Sequence, residues 1–303
     1  MKRILLIVAV AIGGVAIFLV GYHSLHRSIP YSQLITTSYW NRHFKGHDFY
    51  DPRGAMLYHG NPKYREVALT IDDGPHKLYG PQILDVLTQY NVPATFFLVG
   101  VRVKQEPEIV RDIVAQGHEV GNHTYDHQRL DGLKPHQIAN ELRDNGTAVY
   151  RAAGIKMNIM RPPGVQFNDK VLNVAKTLGY VTVNWNNAAR DYQKQTPDYI
   201  VRRVVDSTEA GSIILLHQDN PDTAAALPRI IAALQKRGYR FVTVSTMLAH
   251  LGVEPYADLE KTAIAARPGE IPVLANGNAY YPNAAPGKPS AATLAKAKTP
   301  LTQ

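Results

Sequence analysis

The chain of 303 residues contains no cysteine. Neither a disulfide framework nor a thiolate metal site is therefore available, and any metal has to be held by His, Asp or Glu. Long runs of one charge sign are also missing. The formal net charge of +8 is spread along the chain, which speaks against a basic nucleic-acid-binding tract, and no nucleic acid is expected as a partner. No internal repeat is visible, which argues against a solenoid. With 45% hydrophobic and 19% charged residues, the composition suits one sizeable globular domain with appendages.

Only one long apolar run exists. After Lys2 and Arg3, the stretch from Ile4 to Tyr22 carries no charge, and as a helix it would span roughly 28 Å, close to a bilayer core. Residues 1–22 are therefore expected to form an uncleaved signal-anchor transmembrane helix, with the Lys2/Arg3 side in the cytoplasm and the remainder extracytoplasmic. Cleavage as a signal peptide, followed by secretion, is the alternative, weakly supported by "FLVGYHS". Residues 23–63 read as a stalk or N-terminal extension. Residues 271–303, rich in Ala, Pro and Lys and free of acid, read as a flexible tail.

Residues 64–252 alternate between two periods. Short β-rich runs at 66–71, 94–99, 118–122, 159–162, 180–185, 212–217 and 240–244 are separated by helical stretches such as "PEIVRDIVAQG" and "PHQIANELRDNGTAVYRAAG". Near-continuous apolar strands between helices imply a parallel sheet covered on both faces, and seven such units predict a closed or nearly closed barrel more than an open sheet. In such a barrel the chemistry gathers where strands end, at the C-terminal rim.

The polar residues pass that test together. Asp72 and Asp73 end the first of these strands, His123 and His127 follow the third, Arg161 ends the fourth, Asn184 to Tyr192 follow the fifth and His217 ends the sixth. Adjacent carboxylates repel unless solvent, a cation or a shared proton relieves them, and a solvated turn at "DDGP" is the plain alternative. His123 and His127 are four apart, a spacing that on one helical turn points both rings the same way. With Asp73 they make a three-ligand set of the kind that leaves a coordination position open, and Asp72 stays free to take a proton. His76 and His118 read as structural or solvated. His23, His26, His43, His47 and His59 follow no pattern that suggests a metal site. Tyr125, Trp185 and Tyr192 suit either stacking on sugar faces or packing at the rim.

The segments "TIDDGP", "HTYDH", "RPPG", "NWNNAARDY" and "ILLH", in this order and at these spacings, resemble the five motifs of the polysaccharide deacetylases, the NodB-homology domain of carbohydrate esterase family 4. The resemblance implies a distorted (β/α)7 barrel and metal-dependent hydrolysis of acetyl groups from N- or O-acetylated sugars. Carried over by position, it implies Asp72 as general base, Asp73, His123 and His127 as ligands of a divalent metal, Zn2+ or alternatively Co2+, and His217 as general acid. It also implies that Arg161 orients Asp72, that Asp191 acts on His217, and that Leu215 lines the pocket for the acetyl methyl. Three positions depart from the pattern: Ile71 replaces a common Phe, Gly164 a common Tyr and Tyr192 a common Trp. These leave the ligands and proton-transfer residues intact and alter the wall of the sugar groove, to which Trp185 is also assigned. The expected substrate is acetylated cell-wall polysaccharide, most simply peptidoglycan N-acetylglucosamine, met by a monomer anchored outside the membrane. Chitooligosaccharide, xylan esters and a non-catalytic glycan-binding role are the alternatives.

Overall fold

Strand β3, Glu66–Gly74, carries the pattern on which the rest of the fold is built. Val67, Leu69 and Ile71 pack into the cluster that includes the helix side chains, whereas Ala68 belongs to a second, inner cluster, so alternate residues of one strand face opposite layers. In the computed structural model, residues 49–52, 54–253, 263–264 and 273–274 are described.

The strands that follow are β4 (Thr95–Leu98), β5 (Glu119–Asn122), β6 (Ile159–Met160), β7 (Val181–Val183), β8 (Asn187–Ala188), β9 (Ser212–His217) and β10 (Arg240–Val242). Two short strands precede β3: β1 (Tyr50–Asp51) and β2 (Met56–Leu57). The main sheet runs β1-β2-β7-β6-β5-β4-β3-β9-β8, with β10 added to the first residues of β3. Every pairing in it is parallel except β1 with β2.

The helices are α1 (Tyr79–Tyr90), α2 (Gly100–Gln105), α3 (Pro107–Ala115), α4 (Pro135–Ala153), α5 (Asp169–Thr177), α6 (Pro197–Ser207), α7 (Pro221–Lys236) and α8 (Val244–His250). Helices α3, α4, α6 and α7 each start with Pro at the first position, where its missing N–H costs nothing. Helix α4 stops at Gly154, which caps it in the left-handed conformation at φ 69°.

The barrel expected from seven βα units is an open half-barrel. The ends of the sheet, β1 and β8, do not pair with each other. Strands β6 and β7 are only two and three residues long, and β7 leads to β8 without an intervening helix, so few ladder bonds are available to close the circle. The hairpin of β1 and β2 instead covers the outer edge of β7, with Met56 and Leu57 fully buried. Residues 50–51 and 56–57 thus belong to the sheet and correct the reading of 23–63 as a stalk over those parts. The base is plugged by α8, whose Val244, Met247 and Leu248 join Leu57, Phe97, Val183 and Ile213 in the inner cluster. Glu119 ties this plug down by accepting from Thr95 Oγ1 at 2.8 Å and from the Ser245 N–H at 3.2 Å.

Ala263–Ile264 pairs antiparallel with Val273–Leu274, a strand inside the segment expected to be a tail. The rest of that segment, the apolar run Ile4 to Tyr22, and His23, His26, His43 and His47 lie outside the described residues. No helix among the described residues is long and apolar enough to cross a membrane.

Candidate active site

Strand periodicity delivers the first set of side chains. Counting in steps of two along β3, β5, β6 and β9 places Asp72, His123, Arg161, Leu215 and His217 on the inner face at the C-terminal rim. The register puts Asp72 directly beside His217 on β9 and beside Phe97 on β4.

Strict alternation would turn Asp73 away from this rim. It does not, because the pairing of β3 with β4 shifts between Asp72 and Gly74, and Asp73 sits in that irregularity at φ 66°. A left-handed Asp is uncommon but tolerated, and a bulge of this kind re-aims one side chain. Asp73 Oδ1 lies 3.3 Å from His123 Nε2 and 2.9 Å from His127 Nε2. The turn expected at His123 and His127 is not helical. Thr124 and His127 take φ values of 64° and 65°, and this folded loop, rather than a 3.6-residue period, brings the rings to 5.0 Å centroid separation.

The cluster has the features of a cation site. The three ligand atoms lie within 4.8 Å of one another. Asp73 Oδ1 is buried and faces the two imidazole Nε2 atoms. His123 Nδ1 donates to the Arg161 carbonyl at 2.7 Å, which fixes the ring with Nε2 turned toward Asp73. Burial alone would push the Asp73 carboxyl up, but His123 and His127 outweigh it and hold the group well below the usual carboxylate range. The facing carboxylate raises His127 in turn. Two imidazoles and one carboxylate suit zinc or a related divalent ion.

Asp72 stands next to this set, its Oδ2 3.7 Å from His123 Nε2. Its other oxygen accepts from Arg161 at 2.7 Å. Arg161 is fully buried, yet every part of its guanidinium is engaged, with Thr70 Oγ1 at 2.8 Å and the carbonyls of Val183 and Asn184 both at 3.2 Å. Its charge also lies 4.2 Å from the ring centre of Phe97. Arg161 is thereby locked in one geometry, and so is the Asp72 oxygen it holds.

On the β9 side, His217 Nδ1 meets Asp191 Oδ1 at 2.7 Å, and the His217 N–H donates to Asp191 Oδ2 at the same distance. Asp191 is fully buried and also accepts from Thr223 Oγ1 at 2.7 Å. Burial by itself would lower the His217 pKa, but the hydrogen bond and charge of Asp191, aided by Asp72 and Asp73, push it up to about 9. His217 therefore carries a proton at neutral pH.

The remaining sequence candidates occupy different positions. Leu215 is buried on the inner face one step below His217. Tyr192 is 61% exposed and meets the His217 ring edge-on at 5.6 Å. Gly164 is exposed at φ 59°, and a Cβ there would meet Gln166 Cγ at 3.7 Å, an ordinary contact. Trp185 packs against the inner cluster with its Nε1 buried, which favours the packing alternative over a free stacking platform. His118 is buried with its pKa lowered to about 4 by desolvation, and His76 Nδ1 accepts from the Leu78 and Tyr79 N–H groups, consistent with structural roles.

The supporting residues carried no signal in the sequence. Glu141 on α4 accepts from the N–H groups of Tyr125 at 2.9 Å and Asp126 at 3.2 Å, and buried Asn145 donates to the carbonyls of Leu98 and Thr124, both at 2.8 Å. Together they hold the loop bearing both histidines. Arg102 on α2 donates to the Asp73 carbonyl and approaches Asp219 Oδ2 at 3.4 Å, so it braces the bulge from outside. Polar residues in helix-forming segments look alike whether they face solvent or a loop, and only the packed fold distinguishes them.

An open α/β half-barrel with its polar chemistry gathered on one rim is the framework of a carbohydrate-acting hydrolase. The chain belongs to the polysaccharide deacetylase family, carbohydrate esterase family 4, whose sequence profile, described as "Polysaccharide deacetylase", matches residues 59–183. It is 38% identical over 205 residues to a peptidoglycan-N-acetylglucosamine deacetylase of Bacillus cereus, an alignment covering 66% of this chain and 96% of that protein. It is 35% identical over 196 residues to the peptidoglycan-N-acetylmuramic acid deacetylase PdaA of Bacillus subtilis, covering 63% of this chain and 74% of that protein. Among solved structures, the Bc1960 peptidoglycan N-acetylglucosamine deacetylase superposes with a TM-score of 0.62 at 34% identity, covering 64% of this chain and 92% of that one.

Proposed function

We propose that the protein removes acetyl groups from N-acetylated cell-wall glycan, with peptidoglycan N-acetylglucosamine as substrate. The reading rests above all on the convergence of Asp73, His123 and His127 beside the Arg161-held Asp72, with the protonated His217 on the neighbouring strand. The relatives named for peptidoglycan deacetylation support the substrate class.

Asp73, His123 and His127 would hold a divalent ion, which when bound would supply Lewis-acid polarisation of the acetyl carbonyl and acidify water. Asp72 takes the proton from the attacking water as the new C–O bond forms. Arg161 keeps the Asp72 carboxylate aimed at that proton. An amine leaves poorly unless protonated, so His217 donates its proton to the nitrogen as the C–N bond breaks, yielding acetate and a free amino sugar. Leu215, on the inner face below His217, offers an apolar surface to the acetyl methyl, and Tyr192 offers an aromatic edge to the sugar.

Wall fragments incubated with the protein should lose 42 mass units per site with release of acetate, on the GlcNAc residues; intact fragments under saturating Zn2+ would overturn the reading. The apolar run Ile4 to Tyr22 supports a membrane-anchored, extracytoplasmic placement. Fractionation that recovers a chain shortened at its N-terminus from the medium would replace the anchor by a cleaved signal.

The His217–Asp191 pair makes a separate prediction. The active form of His217 is the protonated one, so kcat should fall as pH rises through about 9. Asp191→Asn removes the charge that raises His217, and the alkaline limb should move to lower pH by roughly 1 unit or more. An alkaline limb that stays in place in the kcat profile would remove His217 from the role of acid.

A further inference from the structure

A cavity of about 490 Å³ lies on the outer wall of the half-barrel, away from the inner face that bears the candidate catalytic groups. Val103 and Lys104 of α2, Pro107 and Arg111 of α3, and Asp144, Ala148 and Arg151 of α4 line it. Its upper boundary is Tyr125, the central residue of the loop from His123 to His127. Lys104 Nζ lies 3.3 Å from Tyr125 Oη and 5.9 Å from the ring centre, so a cation stands where the groove meets the rim.

The charge lining is biased. Arg111 is held by Glu108 and by the Ala152 carbonyl. Lys104 and Arg151, both exposed, then face a single carboxylate, Asp144. Apolar Val103 and Ala148 are buried in the wall beneath them. Two cations against one carboxylate favour an anionic ligand over a neutral one. The groove is set among α2, α3 and α4 on the outer wall, apart from the inner face that bears the candidate catalytic groups. Its size suits a short branch of the substrate.

We propose that this groove binds a carboxylate-bearing peptide branch of the glycan, with Lys104 and Arg151 as its anchoring charges. The proposal rests on the deacetylase reading above and adds to it a source of preference for peptide-substituted over bare glycan. Its contribution lies in binding, because neither cation reaches the inner face where the proton transfers take place.

The test uses the full chain loaded with Zn2+ and three glycans of equal length: a neutral N-acetylglucosamine oligomer, a wall fragment with its peptide carboxylates free, and the same fragment with them amidated. The free-acid fragment should show a KM about 3- to 10-fold below that of the amidated one, the scale of two solvent-exposed ion pairs. Lys104→Gln combined with Arg151→Gln should abolish that difference, leaving kcat and the kinetics on the neutral oligomer unchanged. Lys104→Arg combined with Arg151→Lys should retain the difference. Equal KM for the two fragments in the wild type would overturn the proposal. So would an equal KM rise on the neutral oligomer in the double variant, because that would mark damage to the Tyr125 loop. If no glycan is turned over, the deacetylase reading fails by itself. Calorimetric titration with the two fragments then decides the groove separately: tighter binding of the free acid upholds it and equal binding overturns it.

Discussion

Asp72→Asn is expected to lower kcat by roughly 10²-fold or more, the usual scale of general-base catalysis, while metal content stays near one ion per chain. The substitution keeps the size of the side chain and one oxygen able to accept from Arg161, whose guanidinium lies 2.7 Å from Asp72 Oδ1. It removes the charge and the basic oxygen. Because Arg161 is fully buried, the variant also loses stability, so a thermal melt has to accompany the kinetics. A folded variant with bound metal and unchanged rate would show that Asp72 is not the base.

Asp73 should behave differently although it is the next residue. Asp73→Ala removes one of three candidate ligands, so metal occupancy and activity should fall together, by roughly 10-fold or more, and excess Zn2+ should restore part of both. Alanine also has to adopt φ 66° at this position, a conformation that favours Asn and Asp over other side chains. Asp73→Asn separates the two effects, since it accepts the left-handed backbone but is a weak metal ligand. If Asp73→Asn lost metal as Asp73→Ala does, the ligand and not the backbone would be responsible. Full metal occupancy in both variants, measured by elemental analysis after dialysis, would place the ion elsewhere.

These two acids also show how far the sequence could be read. The "DDGP" stretch at the end of an apolar run, with histidines after a later run and Arg161 and His217 ending others, was sufficient to group the site on one rim. The grouping worked because strand period and strand end are local properties. Two details of the reading were wrong in mechanism. The spacing of His123 and His127 suggested a helical turn, but the loop achieves the same convergence with left-handed residues at Thr124 and His127. Seven βα units suggested a closed or nearly closed barrel, but β6 and β7 are too short to complete one. Residues 50–51 and 56–57, short and without a clear period, were read as part of a stalk and proved to be edge strands.

The sequence by itself determined the succession of β3 to β7, β9 and β10 with helices between most of them, and that the motif residues end on one rim, because strand and helix signals are written in neighbouring residues. Only the tertiary structure decided that Asp73 turns back beside Asp72, since that depends on a slip in the pairing of β3 with β4. It also decided that Asp191 pairs with His217, that Glu141 and Asn145 hold the histidine loop, and that Lys104 and Arg151 share a groove. In each case the partners are far enough apart in the chain that no local preference links them, and their meeting is fixed by the packing of helices on the sheet.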